Sequence, residues 1–291
     1  MKRRKKKTVL IVILSIIVIF LIYILISLWA SVNFIVTREY SIDTGKNGTP
    51  FRAVVISDLH DHEFGKENEK LAEKIRQADP DLILMDGDML NADSDDISWL
   101  LSEIERLSAK VPVYYALGNH ELAYMTAHPD LITQLEEAGA IVLDEQYVDV
   151  EIAGNAVRIG GFYDYAFSRT DAKTTADTMD AQDHAFLSDF CDTSRLKIML
   201  SHRPDSFVFS DASAIWQIDY VLCGHNHGGQ VRLPFLGGVF GGDQGYFPPY
   251  EDGLHSFAAM NMIITRGLSS NPKILPRFNN LPEIVVLDFV S

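Results

Sequence analysis

Cysteine is scarce in this sequence of 291 residues, which contains only Cys191 and Cys223. At most one disulfide can therefore form, and the spacing of the two residues gives it no support. We expect both to be unpaired, with Cys191 in a helix and Cys223 packed as a small apolar residue at the end of a buried strand. The hydrophobic fraction of 47% suffices for one large globular domain or two small ones.

Positive charge is also scarce outside the first few residues. The formal net charge is −15, and residues 2–7 (Lys-Arg-Arg-Lys-Lys-Lys) contribute +6, so the rest of the chain carries −21. Such an acidic body repels polyanions, and no basic stripe with interleaved aromatic residues occurs, so we expect no nucleic-acid partner. A small phosphorylated substrate stays compatible with this charge, because bound metal cations can reverse its sign locally.

One long apolar run, Thr8 to Ala30, contrasts with the mixed composition that follows it. A helix needs about 20 apolar residues to span a bilayer, and this run reaches that length. Basic residues before a span stay in the cytoplasm, while Tyr23 and Trp29 suit the opposite interface. We therefore expect a single-pass protein of the cell membrane, with a cytoplasmic basic tail (1–7), a transmembrane anchor (8–30) and an extracytoplasmic catalytic domain.

Two other interpretations of the N-terminus stay open. A cleaved signal peptide usually has an apolar region of about 7–15 residues that ends in a small-x-small site. Here the run is longer, and Trp29 occupies the obvious cleavage position. Arg3 and Arg4 resemble a twin-arginine signal, but the residues after them fit that signal poorly. An uncleaved anchor is the interpretation that the residues favour.

A regular α/β pattern begins at Phe51, after a segment (31–50) that favours a linker with an edge strand at 33–40. Strand, loop and helix alternate three times, which indicates an α/β domain with parallel strands over 51–291. The predicted strands lie at 52–56, 82–85, 113–116, 196–200, 218–223, 260–265 and 283–289, with a hairpin at 148–159. The predicted helices lie at 66–78, 97–107, 130–138 and 182–190, and the long loops at 162–181 and 228–249.

Polar side chains of one chemical kind follow five of these strands. Open α/β sheets place their sites at the carboxyl ends of strands, so we expect these side chains to gather. Imidazole favours zinc, iron or manganese, and a carboxylate held between two metals about 3.5–4 Å apart is the usual device of two-metal hydrolases. Asp88 is the natural bridge. The set comprises Asp58, His60, Asp88, Asn119, His120, His202, His225 and His227.

These motifs resemble those of calcineurin-like metallophosphoesterases. The matching segments are Asp58-x-His60, Gly87-Asp88, Gly118-Asn119-His120-Glu121, a lone His202 and Gly224-His225-x-His227, in the family's order and spacing. Residues 228–234 and 265–267 are similar to the membrane-associated bacterial branch, which includes lipid-headgroup pyrophosphatases and cell-envelope phosphodiesterases. The resemblance implies a four-layer α-β-β-α sandwich with two stacked sheets, behind the N-terminal transmembrane helix.

The resemblance also implies two divalent metal ions and a role for each motif residue. The first ion would be held by Asp58, His60 and His227, and the second by Asn119, His202 and His225. Asp88 would bridge the two ions. His120 matches the family's catalytic histidine, which is not a ligand. A hydroxide that bridges the metals would attack phosphorus in line, and His120 would donate a proton to the leaving oxygen.

The implied function is hydrolysis of a phosphodiester or pyrophosphate bond. The anchor favours a phosphoester substrate linked to a lipid or to the cell wall. A phosphomonoesterase or protein phosphatase of the same fold is one alternative, although the sequence shows no added regulatory domain. A metal-binding scaffold without turnover is another, but such relatives typically lose ligands or the catalytic histidine, and here every one of those positions is kept.

Residues beside the motifs carry weaker expectations. Asn91 stands where the family often has an acidic residue, and we expect it to weaken a supporting hydrogen bond without removing a ligand. Glu121 is a candidate to orient His120. Asp61 and His62 favour a solvated loop over a pocket lining.

Three arginines and one aromatic loop are candidates for contacts with the substrate or the membrane. Arg203 and Arg232 are candidates to meet a substrate phosphate or an anionic lipid. Arg266 suits such a contact or a structural ion pair equally well. The loop 246–250 favours plain packing over a pocket wall or a lip that faces the membrane.

Overall fold

The computed structural model describes residues 2–44, 48–163, 174–269 and 276–290. Its strands, in chain order, are β1 (Val36–Asp43), β2 (Phe51–Ile56), β3 (Leu82–Asp86), β4 (Val113–Ala116), β5 (Ala140–Leu143), β6 (Gln146–Ile152), β7 (Asn155–Gly161), β8 (Leu196–Leu200), β9 (Ile218–Cys223), β10 (Arg232–Leu233), β11 (Gly237–Gly238), β12 (Gly253–Ser256), β13 (Met260–Ile264) and β14 (Glu283–Val290). Its helices are α1 (Lys2–Asn33), α2 (Glu69–Ala78), α3 (Ser98–Ser108), α4 (Asn119–Tyr124), α5 (Leu131–Glu137), α6 (Ala181–Cys191), α7 (Asp205–Val208) and α8 (Ala212–Ile215).

Two six-stranded sheets form the middle of the domain. The first has the order β1-β14-β2-β3-β4-β5, and the second has the order β12-β13-β9-β8-β7-β6. The strands β2 to β5 run parallel, as the alternation of strands and helices predicts. Because such strands are covered on both faces, β3 and β4 are buried along their whole length.

Alternate side chains of the first sheet enter two different apolar layers. Val54, Ile83 and Tyr115 pack with side chains of α2, α3 and α5, whereas Val55 and Leu84 pack against the second sheet. A third layer lies between the other face of the second sheet and α6, α7 and α8. The expected four-layer α-β-β-α sandwich is therefore confirmed.

Helix α1 is the only described helix that is long and apolar enough to cross a membrane. Its mean hydropathy reaches 3.6 over an 18-residue window that is not buried against the domain. A membrane span and a signal sequence both fit these properties. Its last turns do touch the domain, where Ser27 and Ser31 are buried.

Most predicted elements occur, with shifts of a few residues at their ends. The edge strand predicted at 33–40 is observed at Val36–Asp43, because α1 continues to Asn33. The short helix α4 was not predicted, and the predicted loop 162–181 includes residues 164–173, which lie outside the described residues. Both cysteines are unpaired, as expected.

Candidate metal centre

Seven of the eight polar residues that follow the strands meet in one place between the two sheets, and the eighth, Asn119, directly precedes one of them along the chain. Loops after β2 and β3 bring Asp58, His60 and Asp88, the start of α4 brings Asn119 and His120, and the segments after β8 and β9 bring His202, His225 and His227. Three groups of these residues offer ligand atoms that all lie within 4.8 Å of one another. The groups are Asp58–His60–His227, His60–Asp88–His120 and Asp88–His202–His225.

Asp58 and Asp88 are the centres of this arrangement. Asp58 Oδ1 lies 4.0 Å from His60 Nε2 and 3.6 Å from His227 Nδ1. Asp88 Oδ2 lies 3.1 Å from His202 Nε2 and 3.8 Å from His60 Nε2. Asp88 belongs to two of these groups, so its carboxylate is shared by two sets of potential ligand atoms.

The backbone at these residues has an uncommon conformation. Five of the seven predicted ligands, including Asp58, Asp88 and His225, have positive φ angles between 47° and 66°. Residues other than glycine and asparagine rarely adopt this region, and such strain collects at functional sites. The tight turns aim consecutive side chains from a strand end into the centre.

Close approach of two loops explains the glycine before Asp88. Gly87 has a φ of 70°, and a Cβ there would lie 2.5 Å from the nitrogen of Gly118. A Cβ on Gly118 would in turn lie 2.2 Å from Asp88 Oδ1. Side chains at either position would push the loops after β3 and β4 apart, and with them Asp88 and Asn119.

Hydrogen bonds fix the ring orientation of three histidines. The Nδ1 atoms of His202 and His227 lie 2.6 Å from the carbonyl oxygen of Asp86 and 3.0 Å from that of Ser269. His60 Nδ1 lies 3.1 Å from Asn91 Oδ1. These oxygens can only accept, so each Nδ1 carries a hydrogen, and in the neutral form of each ring Nε2 presents its lone pair.

Asn91 is held so that its amide oxygen faces His60. Its Nδ2 donates to the carbonyl of His60 at 3.0 Å and to Asp61 Oδ2 at 2.7 Å. The same Asp61 carboxylate accepts from Ser94 at 2.5 Å. Asn91 therefore supports His60 through an intact hydrogen bond, and Asp61 orients Asn91.

His225 has the opposite ring orientation, and its partner was missed by the sequence analysis. Its Nε2 lies 3.0 Å from Asp243 Oδ2, so this nitrogen donates and Nδ1 presents the lone pair. Asp243 also accepts from Arg203. The carboxylate belongs to an irregular turn between Gly242 and Gln244, where no sequence pattern signals it.

His120 lies at the edge of the centre, with its Nε2 4.0 Å from Asp88 Oδ2. Its Nδ1 accepts from the backbone N–H of Ala92 at 3.0 Å. The neutral ring therefore carries its hydrogen on Nε2, which faces the centre.

Glu121 does not orient His120, contrary to the expectation. Its carboxylate is fully buried and accepts from the backbone N–H groups of Asp88, Met89 and Gly118 and from the hydroxyl of Tyr115. It clamps the loops after β3 and β4 together. The orienting contact of His120 is a backbone N–H instead.

Electrostatics in the centre favour a positive charge on His202, beside Asp88. Burial raises the pKa of Asp58 to about 6 and lowers the pKa of His60 to about 4. For Asp88, burial is outweighed by attraction to His202, which lowers the pKa. For His202, burial is outweighed by Asp88, Asp58 and Asp86, which hold its pKa well above the usual range.

The residues fit divalent cations. Among the described residues, His60 Nε2 and Asn119 Oδ1 are buried without a hydrogen-bond partner, although leaving such atoms unpaired is costly. His60 belongs to the clustered groups, and Asn119 directly precedes His120 at the start of α4. Imidazole nitrogens, an amide oxygen and carboxylates form a donor set suited to zinc, iron or manganese.

The arginines and His62 have structural partners. Arg232 pairs with Glu251 at 3.1 Å, and Arg266 pairs with Asp252 at 2.6 Å. Arg203 donates hydrogen bonds to Asp243 and to the hydroxyl of Tyr163, so its guanidinium already has partners within the protein. His62 Nε2 contacts the carbonyl of Val32 at the end of α1.

Comparison with known proteins agrees with this geometry. The family model for calcineurin-like phosphoesterases matches residues 51–229. This range includes all eight polar residues that the sequence places after the strands. This chain is a calcineurin-like phosphoesterase. The phosphoesterase is thus a metal-dependent enzyme, and the fold, the motif order and the family model agree.

Two relatives extend the likeness beyond the matched region. The phosphoesterase is 30% identical over 255 residues to phosphodiesterase YaeI of Escherichia coli (strain K12), with 84% of each chain covered. It is 27% identical over 274 residues to an uncharacterised metallophosphoesterase, YkuE of Bacillus subtilis (strain 168), with 89% of this chain and 87% of that one covered. The crystal structure of TT1561 of Thermus thermophilus aligns with a TM-score of 0.44 and 14% identity, over 74% of this chain and 89% of that one.

Proposed function

We propose that this protein is a membrane-anchored phosphohydrolase that uses two divalent metal ions to cleave phosphodiester or pyrophosphate bonds. The observation that carries the proposal is that the carboxylate of Asp88 is shared by two groups of potential ligand atoms. The name of YaeI supports a diester, and α1 supports anchoring with the N-terminus in the cytoplasm.

Each ion would have its own set of ligands. Asp58, His60 Nε2 and His227 Nε2 would hold the first ion. Asn119 Oδ1, His202 Nε2 and His225 Nδ1 would hold the second, with Asp88 between the two. Manganese, zinc and iron all suit these donors. Bound cations would act as Lewis acids toward the phosphoryl oxygens and lower the pKa of a water molecule.

His120 would protonate the leaving group. To do so, the ring would first become an imidazolium, with Nδ1 exchanging its contact with the N–H of Ala92 for a proton, and would then donate from Nε2. The side chain is 22% exposed, whereas that of Asp88 is 2% exposed, so the substrate can reach His120 from the solvent side. Donation to the departing oxygen relieves negative charge as the P–O bond breaks.

The anchor favours a substrate of the cell envelope. A catalytic domain that follows a membrane span stays close to the bilayer surface, where lipid-linked or cell-wall phosphoesters are concentrated. The acidic body of the protein makes a nucleic acid an unfavourable substrate.

Metal removal and restoration tests this proposal on the full-length protein in detergent. We expect chelation to abolish hydrolysis of bis(p-nitrophenyl) phosphate, and manganese, zinc or iron to restore it, with p-nitrophenyl phosphate cleaved more slowly. Asp88→Asn should lower the restored rate by on the order of 10³-fold, because several kcal/mol of charge stabilisation are lost. The exposed Asp177→Asn is the matched control.

The other outcomes are also decisive. Activity that survives complete metal removal would contradict the metal mechanism. A preference for the monoester would favour the phosphomonoesterase alternative. Two bound ions per chain, measured by elemental analysis, with no turnover of either ester would favour the metal-binding scaffold.

A further inference from the structure

The end of α1 packs against a loop that also supports the candidate metal centre. The rings of Tyr23 and Phe278 meet edge to face with centroids 5.9 Å apart. The backbone N–H of Asn279 donates to Ser27 Oγ at 2.8 Å. Asn280 then donates from Nδ2 to the carbonyl of His227 at 2.6 Å. The helix and the loop that carries His225 and His227 are thus joined through residues 278–280.

The depth of Tyr23 in a membrane follows from helix geometry. About 20 residues at about 1.5 Å each cross the hydrocarbon layer, so a span that begins at Thr8 ends near Ser27. Tyr23 then lies about 6 Å inside that boundary. Because Phe278 contacts Tyr23, this face of the domain lies at the level of the lipid headgroups and acyl chains.

A short hairpin is tied to the same loop. Residue Val231 forms a parallel bridge with Phe278, and the N–H of Arg232 donates to the carbonyl of Phe278 at 3.0 Å. Asn279 Nδ2 returns a bond to the carbonyl of Arg232 at 3.2 Å. The strands β10 and β11 therefore start beside α1, and their connection, residues 234–236, forms the tip.

The tip of this hairpin is apolar and unusually exposed. Phe235 is fully exposed, at 107% of its reference area, and Leu236 is 65% exposed. Phe235 has a φ of 70°, in the left-handed region where turns favour glycine or asparagine. A large apolar side chain at a strained turn, directed into water, suits a membrane interface.

Exposed apolar side chains concentrate in this part of the domain. After Phe34, the described residues include eight such side chains, and the four most exposed are Phe235, Tyr246, Leu236 and Phe247. The expectation of plain packing is therefore wrong for Tyr246 and Phe247, although Pro248 is buried.

We propose that the hairpin 232–238 is a second membrane contact, whose tip enters the interfacial layer of a phospholipid bilayer beside α1. The proposal rests on the anchoring of α1 proposed above. Two contacts fix the orientation of the domain, where one helix alone leaves it free to tilt. Arg232 also donates to the carbonyl of Gly228 at 2.8 Å, so the hairpin holds the centre toward phosphoesters carried by lipids.

Fluorescence of a labelled tip tests this contact. Phe235→Cys is labelled with the environment-sensitive dye NBD in full-length protein, with Cys191→Ser as background and Cys223 left buried. The protein is reconstituted into vesicles of phosphatidylglycerol and phosphatidylethanolamine. A dye about 5–10 Å deep should lose at least about half of its emission to a lipid quencher near the headgroup. Ile141→Cys, on β5 at the opposite edge of the first sheet from β1, is the matched control and should respond only to aqueous iodide.

The outcomes separate the hairpin from the anchor. Wild-type protein released from membranes by carbonate would refute the anchor. If the protein stays membrane-bound but iodide quenches the label at 235 as strongly as the label at 141, the hairpin contact alone is refuted. If the label at 235 is shielded from iodide without lipid, and dilution removes this shielding, the tip contacts a second copy of the chain. That outcome would also overturn the proposal.

Two substrates with the same leaving group test the consequence for catalysis. Hexadecyl p-nitrophenyl phosphate in vesicles and soluble methyl p-nitrophenyl phosphate differ only in their apolar tail. Phe235→Ser with Leu236→Ser should lower kcat/KM about tenfold more for the lipid ester than for the soluble ester. Ile141→Ser should leave this ratio unchanged, and an equal loss on both esters by the hairpin variant would indicate a structural role for the hairpin.

Discussion

The two sheets supply the candidate site with different chemistry. Loops after β2, β3 and β4 of the first sheet contribute the carboxylates Asp58 and Asp88, with Asn119 and His120. Loops after β8 and β9 of the second sheet contribute only imidazoles: His202, His225 and His227. In the proposed site, charge compensation and the proton donor would therefore come from the first sheet, while the second would complete the coordination with imidazoles.

The supports of the two sets of loops differ as well. Glu121, which clamps the first set, is fully buried and accepts from three backbone N–H groups. Asp243, which supports His225, has a side chain that is 31% exposed. The first half is thus built into the core, whereas part of the second half depends on a surface turn. Loss of Glu121 should therefore lower the stability of the fold, whereas loss of Asp243 should lower metal affinity.

The largest effect should come from removing the proton donor of the first half. We expect His120→Ala to lower kcat for a diester with an alkyl leaving group by about 10²–10⁴-fold. The loss should be smaller with a p-nitrophenyl leaving group, which needs no protonation. Steady-state kinetics on the two esters, with metal content measured in parallel, checks the split.

His128→Ala is the matched control, since His128 is exposed and stacks on Tyr124 instead of facing the centre. Equal losses of His120→Ala on both esters, or loss of bound metal, would instead assign His120 a role in holding the site.

An intermediate effect should come from the partners of the histidine ligands. Asn91→Leu removes the acceptor of His60 Nδ1 in a nearly closed environment, and we expect metal affinity to fall by about 10–100-fold. Asp243→Ala should cost less, about tenfold, because water can replace the exposed carboxylate at His225. Metal titration by calorimetry on the chelated protein measures both.

The relative size of the two losses of metal affinity tests the difference between the two halves of the site. A larger loss for Asp243→Ala than for Asn91→Leu would show that the second half is the more dependent on its support. Asp177→Ala, on an exposed segment, provides the baseline.

Glu121→Gln should have the smallest effect on metal binding. Its effect should be seen in the stability of the fold instead. An amide N–H₂ would face backbone N–H donors, and the unpaired groups should lower the free energy of unfolding by about 1–3 kcal/mol. Asp243→Ala should change it by less than about 0.5 kcal/mol. Urea denaturation of the metal-free protein in detergent compares them, with the exposed Glu137→Gln as control; equal stabilities of Glu121→Gln and wild type would contradict the clamp.

Sequence patterns predicted the parts of the fold that local chemistry determines. The strands that hold the site are continuous apolar runs, and each is followed directly by its polar residues. Because parallel strands end at one edge of a sheet, the convergence of residues such as Asp88 and His225 could be predicted without coordinates. That the strands form two stacked sheets came only from the family resemblance.

The supports of the site could not be predicted in the same way. Asp243, Asn280 and Ser269 lie in irregular segments, and their partners are distant along the chain. A side chain in such a segment acquires its role from the position of the loops, and no periodicity records that position. Glu121 shows the same limit at short range, because the N–H groups that donate to it belong to loops that meet only in the folded chain.

The pairing of β1 with β14 has a consequence for how the chain is made. Val36, near the start of the domain, pairs with Glu283, near the other end of the chain. During synthesis β1 emerges early and must wait, unpaired, until almost the whole domain has followed. An open strand edge invites pairing with other chains. Newly made molecules should therefore depend on protection of the open edge of β1. We expect aggregation to begin from chains that are stalled on the ribosome before β14 is made.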